Sequence, residues 1–142
     1  MRIKHLSQVA ATLAVAGSSL FLASGSAFAA SNPYTPQEIC GSGYVVVSQF
    51  KLANGGAEAY LLYSNSTGLN CATTVKLTDI GTSTYTGVQL IEDGGADNGQ
   101  AQGGDFKYYA GPVYISAPGV CVSYAGSDAA NVWQWDGPTA CG

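Results

Sequence analysis

The chain has 142 residues, of which 46% are hydrophobic and only 10% charged, with a formal net charge of −4. Beyond residue 29 its only bases are Lys51, Lys76 and Lys107, set against nine carboxylates, with no arginine and no histidine. That balance lacks the clustered Lys or Arg that a nucleic acid or an anionic lipid surface requires, so neither is expected as a partner.

Arg2 and Lys4 open the chain, a mostly apolar run follows from Leu6 to Ala23, and Ala27-Phe28-Ala29 offers small residues where a signal peptidase reads them. This is the three-part pattern of a secretory signal peptide over residues 1–29. A membrane anchor is the competing reading. Gly17, Ser18 and Ser19 interrupt the apolar run, and no membrane insertion is expected after cleavage. Residues 30–142 then form one domain, long enough for a modest core.

The domain opens with "SNPYTPQEICGSG", rich in Pro, Ser and Gly, which reads as an extended lead-in tethered by Cys40. Tyr44–Phe50 is β-branched and aromatic and predicts a strand. Asn54-Gly55-Gly56 signals a turn and Ala59–Ser64 a second strand. Over residues 71–78 the pattern alternates, with Cys71, Thr73, Val75 and Leu77 expected to face inward. Thr86–Glu92 is a further strand. Glu92–Asp105 holds no large apolar residue and reads as a long, mobile, glycine-rich connection. Residues 106–116 resume β structure, with a bulge or bend at Gly111-Pro112. "APG" then turns the chain into residues 121–125, so that Tyr108–Gly126 reads as a hairpin. Residues 132–136, "VWQWD", make the last strand. No helical periodicity stands out. The fold class is all-β: a small antiparallel sandwich or barrel of about seven short strands.

Four cysteines, Cys40, Cys71, Cys121 and Cys141, follow the signal. An even count in an exported chain implies two disulfides, and four cysteines allow three pairings. Cys40–Cys71 with Cys121–Cys141 is favoured, because each bond would tie one end of the domain to its nearest hairpin. A faint echo between "YSNSTGLNCATT" and "YISAPGVCVSY" suggests equivalent parts for the two staples. No C-x-x-C pair and no histidine is present to support zinc.

The residue types for catalysis are thin. Triads generally use a histidine base, and no histidine follows the signal. Glu92 and Asp93 are adjacent and would diverge on a strand, which is a poor start for a glycosidase pair. The expectation is a protein without enzymatic activity and without a cofactor. Glu92, Asp93, Asp97, Asn98 and Asp105 gather oxygen ligands of the kind calcium takes, but not at EF-hand spacing. They read as a solvated acidic loop, and no metal is assigned.

Nine tyrosines and two tryptophans remain. Trp133 and Trp135 are two apart, so on a strand they share a face, with Gln134 and Asp136 on the other. Exposed rings side by side stack on sugar rings; buried ones would pad the core or the second disulfide. Trp133, Trp135 and Tyr124 are the candidate ligand-binding aromatics. Tyr108 and Tyr109 are adjacent, so at most one is expected on any given surface.

"CGSGY", "YLLYSNSTGLNCATTVKL" and "YYAGPVYISAPGVCVSYAG" together resemble the spore-associated protein A family of filamentous actinobacteria. The resemblance runs from Cys40 to the final Cys-Gly. It implies an exported, disulfide-bonded protein found with spores or aerial growth, and it supplies no catalytic residues. Members often carry a basic residue after "APG"; this chain has Val120 there. The leading expectation is a secreted, non-enzymatic protein at the spore or cell surface, with a wall or spore polymer as its partner. A carbohydrate-binding module using Trp133 and Trp135 is one alternative. A secreted inhibitor or toxin displaying the Glu92–Asp105 loop is the other.

Overall fold

The computed structural model describes residues 29–95 and 98–142. The expected signal peptide therefore lies, apart from Ala29, outside the described residues. A five-residue helix, α1 (Pro36–Cys40), precedes eight strands: β1 (Val45–Lys51), β2 (Ala57–Tyr63), β3 (Leu69–Lys76), β4 (Thr84–Glu92), β5 (Gly99–Phe106), β6 (Tyr109–Ser116), β7 (Val122–Ser127) and β8 (Gln134–Thr139). They form two four-stranded sheets, ordered β1-β2-β3-β6 and β5-β4-β7-β8. Every pairing is antiparallel. The fold is an all-β sandwich.

The core lies between the sheets. Ala59, Leu61, Ala72 and Ile115 of the first meet Val88, Leu90, Val122 and Tyr124 of the second. The layers approach closely at Gly126, where an added Cβ would sit 2.9 Å from the Ala59 Cβ and 3.0 Å from Thr74 Oγ1. Only glycine fits that approach. The bulge expected near Gly111 is present: the β3–β6 register shifts between Ala72 and Thr74, and Gly111 has φ +98°.

Both disulfides pair as favoured, Cys40–Cys71 and Cys121–Cys141. Their parts differ, contrary to the echo in the sequence. Cys71 is buried mid-sheet and pins α1 onto the outer side of the first sheet, where Cys40, Leu62 and Cys71 form a second small core. Cys141 is exposed and ties the last residues to the start of β7.

Four further expectations are corrected. The lead-in is partly helical: Thr35 and Glu38 form a capping box around Pro36 at the first turn. The inward set of β3 is inverted. Ala72 faces the main core, while Cys71 faces outward beneath α1. Tyr108–Gly126 is not a hairpin, because β6 and β7 belong to different sheets and the link at Ala117–Val120 crosses between layers. Among the described residues the strands number eight, because residues 99–105, expected as part of a mobile connection, form β5 with Phe106 and pair with β4 along the whole length of that strand.

Candidate functional site

The outer face of the second sheet presents unusually small residues. With Val88 and Leu90 buried in the core, Gly87, Gln89 and Ile91 of β4 point outward. Their partners are Gly103, Ala101 and Gly99 on β5, and Ser127, Ala125 and Ser123 on β7. Larger side chains lie over the glycines. A Cβ on Gly87 would be 2.5 Å from Trp133 Cη2, and one on Gly103 would be 2.6 Å from the Tyr85 hydroxyl. A ring lying against a bare Cα is held flat and braced, as cross-strand aromatic–glycine pairs are. Trp135 sits opposite Ala125 on the same face and is 48% exposed.

β8 is oriented by its other side. Gln134 Oε1 accepts a hydrogen bond from the Ala53 backbone N–H at 2.8 Å, and Asp136 Oδ2 accepts one from Ser48 Oγ at 3.0 Å. Both bonds reach β1 or the turn after it, so β8 is tied across the sandwich and Trp135, between the two bonded residues, is turned outward. Asp105, at one end, is the only charged residue on these outward strand positions. The arrangement suits an uncharged partner with flat apolar faces and hydroxyls.

Tyr124 is not part of this face. It is wholly buried, 5.4 Å between ring centroids from Phe50, and its hydroxyl donates to Ser48 Oγ at 2.9 Å. Burial pushes that hydroxyl well above the ordinary tyrosine range, and the bond to Ser48 only partly offsets it. Tyr124, Ser48 and Asp136 thus form a hydrogen-bonded strut between the sheets.

A second aromatic group escaped the sequence reading. Tyr34 in the lead-in packs against both Tyr108 and Tyr109, with ring centroids 5.3 and 5.1 Å apart. The three line one cleft of about 330 Å³. Tyr108 precedes β6, so strand alternation does not separate it from Tyr109. Asn32 Nδ2 holds the lead-in there through the carbonyls of Lys76 and Tyr108, at 3.0 and 2.7 Å.

The acidic segment is largely committed to structure. Asn98 Nδ2 donates to Glu92 Oε2 at 2.6 Å and to the Ser116 carbonyl at 2.9 Å, which closes the β4–β5 connection. Asp97 lies outside the described residues. Among the described residues no three His, Cys, Asp or Glu side chains gather where they could hold a metal.

No protein-family profile and no solved structure matches the chain. Among curated proteins, Spore-associated protein A of Streptomyces coelicolor is 43% identical over 106 residues, covering 73% of this chain and 65% of that relative. The chain thus spans just under two thirds of the relative's length. On this match the chain belongs to the spore-associated protein A family.

Proposed function

We propose that the chain is an exported, non-enzymatic protein of the spore or cell surface, retained there by a polysaccharide bound on the outer face of the second sheet. The observation that carries this reading is the half-exposed Trp135 beside Trp133, itself braced over Gly87, on a face with almost no charge. Indole rings held in place stack on the apolar faces of sugar rings with little ordering cost, and neighbours such as Gln89 offer hydrogen bonds to hydroxyls. Two disulfides suit an oxidising, extracellular setting. The relative's name supplies the link to spores.

The test is cosedimentation of the purified domain with washed spores and with isolated cell-wall polysaccharide. The expected result is binding to both, with a blue shift of Trp fluorescence, weakened about tenfold by Trp135→Ala. Cosedimentation of that variant at wild-type affinity would move the attachment elsewhere. No retention of the wild type on either material would remove the surface reading.

A further inference from the structure

The sandwich has four sheet edges: β1 and β6 on the first sheet, β5 and β8 on the second. An open edge offers a row of unpaired N–H and C=O groups to another strand, and native proteins blunt it with a bulge, a proline or a lysine. Three of the four edges carry such a device. β1 has a register shift between Val46 and Ser48 and ends on Lys51. β6 holds Pro112, and the β3–β6 register shifts between Ala72 and Thr74. β8 holds Pro138, and its register with β7 shifts between Val122 and Tyr124. β1 and β8 are also tied to each other through Ser48 and Asp136.

β5 carries none of these devices. "GQAQGGDF" has no proline and no lysine, and its register with β4 runs unbroken from Gly99 opposite Ile91 to Phe106 opposite Thr84. Residues 99–103 are all exposed. The direction of the free backbone groups follows from the ladder. The Glu92 N–H donates to the Asn98 carbonyl. Bonding alternates along an antiparallel pair, so Gln100, Gln102 and Gly104 spend their backbone groups on β4, while Gly99, Ala101, Gly103 and Asp105 turn theirs to the open side. Ser83 Oγ meets the Asp105 carbonyl at 3.3 Å. The other three of those four are glycine or alanine, so no bulky side chain guards the approach. Glycine inside a strand often marks a place where another backbone comes close.

We propose that β5 pairs with β5 of a second copy of this chain, antiparallel about a two-fold axis at Gln102. This register uses all four residues of the open side: Ala101 of one copy faces Gly103 of the other, and Gly99 faces Asp105. Asp105 is the only charge on the strand, and it meets a glycine rather than a like charge. With the other edges blunted, the contact is the same patch on both copies and closes at two. Residues opposite each other in a ladder point to one side, so the two outer faces become continuous, and both copies of Trp133 and Trp135 lie on the same side of the joined sheet. A single edge pairing is small beside the roughly 1,200 Å² of a stable interface, so the dimer depends on concentration. The pairing stands independently of attachment to a polysaccharide.

The test is sedimentation equilibrium of the intact disulfide-bonded domain, without wall material, over a dilution series reaching about 1 mM. The expected result is a monomer–dimer equilibrium with no larger species. Amide hydrogen exchange at Ala101 and Gly103 should slow as concentration rises, which association through another surface would not produce. Ala101→Pro removes an N–H directed at the second copy and none directed at β4, so the domain should stay folded and the dimer be lost. Gln102→Glu keeps an oxygen for the Gly111 N–H, which Gln102 Oε1 accepts at 2.6 Å. It also sets two carboxylates face to face at the axis, and it should weaken pairing about fivefold at low salt and less at high salt. Monomer at every concentration would overturn the proposal and leave the edge to a strand of a different protein. Growth beyond two copies, wild-type dimerisation in either variant, or unprotected Ala101 and Gly103 amides in the dimer would overturn it as well.

Discussion

Asn70 and Lys76 stand on the same side of β3, six residues apart, at opposite ends of the sandwich. Each is 3% exposed. At about 3.4 Å per residue the separation is about 20 Å, close to the full length of the core. Lys76 plugs its end: Nζ donates to the Thr82 carbonyl at 2.8 Å, to the Phe106 carbonyl at 3.2 Å and to Thr84 Oγ1. Asn70 lies toward the other end, where its Oδ1 is buried without a hydrogen-bond partner. One strand thus carries two buried polar groups that differ in how many partners each finds.

The plug is testable by Lys76→Met. Methionine keeps most of the apolar stem but leaves three acceptors without their donor. Burial holds the Lys76 ammonium below its ordinary pKa, partly offset by Asp79, so the charge is retained against a desolvation cost. Lost hydrogen bonds to a charged donor should dominate, and the variant should be less stable by about 2 kcal/mol in urea unfolding. Stability equal to the wild type would mean that desolvation cancels the bonds.

Thr74 gives the opposite sign. It is wholly buried between the sheets, and its Oγ1 has no hydrogen-bond partner. Valine has nearly the same shape and suits a strand. Thr74→Val should therefore stabilise the domain by about 1 kcal/mol, read as a higher urea midpoint with an unchanged slope. A lower midpoint would show that the hydroxyl finds a partner in solution.

The sequence made seven of the eight strands legible, because those seven carry β-branched or aromatic residues between turn signals. β5 was hidden. "GQAQGGDF" has almost nothing to bury, and its order comes from the ladder with β4 and from Tyr85 and Ile91 lying over its glycines. The facing of β3 was ambiguous because α1 covers its outer side, so both faces of the strand are buried. The link after β6 looks the same in sequence whether it joins neighbours in one sheet or crosses between two. α1 was too short for periodicity, though its Thr-x-x-Glu capping box with Pro was on view. Trp133 and Trp135 could be assigned to one face but not to the outside. Asn70 gave no signal at all, since an Asn between Leu69 and Cys71 reads as the end of a turn.

Alkaline pH should unfold the domain through its tyrosines. Burial, helped by the Glu58 carboxylate that accepts its hydrogen bond at 2.9 Å, pushes Tyr60 up to about 12. Tyr124 is shifted in the same direction by burial. An unfolded tyrosine titrates near pH 10. Below that pH the stabilising contribution is fully present; from about pH 10 to about 12 the unfolded chain releases protons that the folded chain keeps, and stability falls. Lys76 works the other way: its lowered pKa adds stability as pH approaches 10.5, the ordinary lysine value. The net fall should therefore begin above pH 10. Tyr60→Phe should flatten part of it in unfolding free energies measured from pH 8 to 11.5. An identical pH dependence in that variant would remove Tyr60 from the account.

The bracing of Trp133 makes a prediction that joins fold to proposed function. Gly87 is buried in β4, and a methyl group there would come within 2.5 Å of the indole. The indole is the movable partner, because the backbone of β4 is fixed by ladders to β5 and β7. Gly87→Ala should therefore leave the sandwich folded and lift Trp133 from the sheet. Trp fluorescence should shift to the red, and retention on wall polysaccharide should weaken about as much as in Trp135→Ala, because stacking needs both rings level. A red shift with undiminished retention would show that Trp135 alone carries the contact. Unchanged fluorescence would show that the indole is not held over Gly87 in solution.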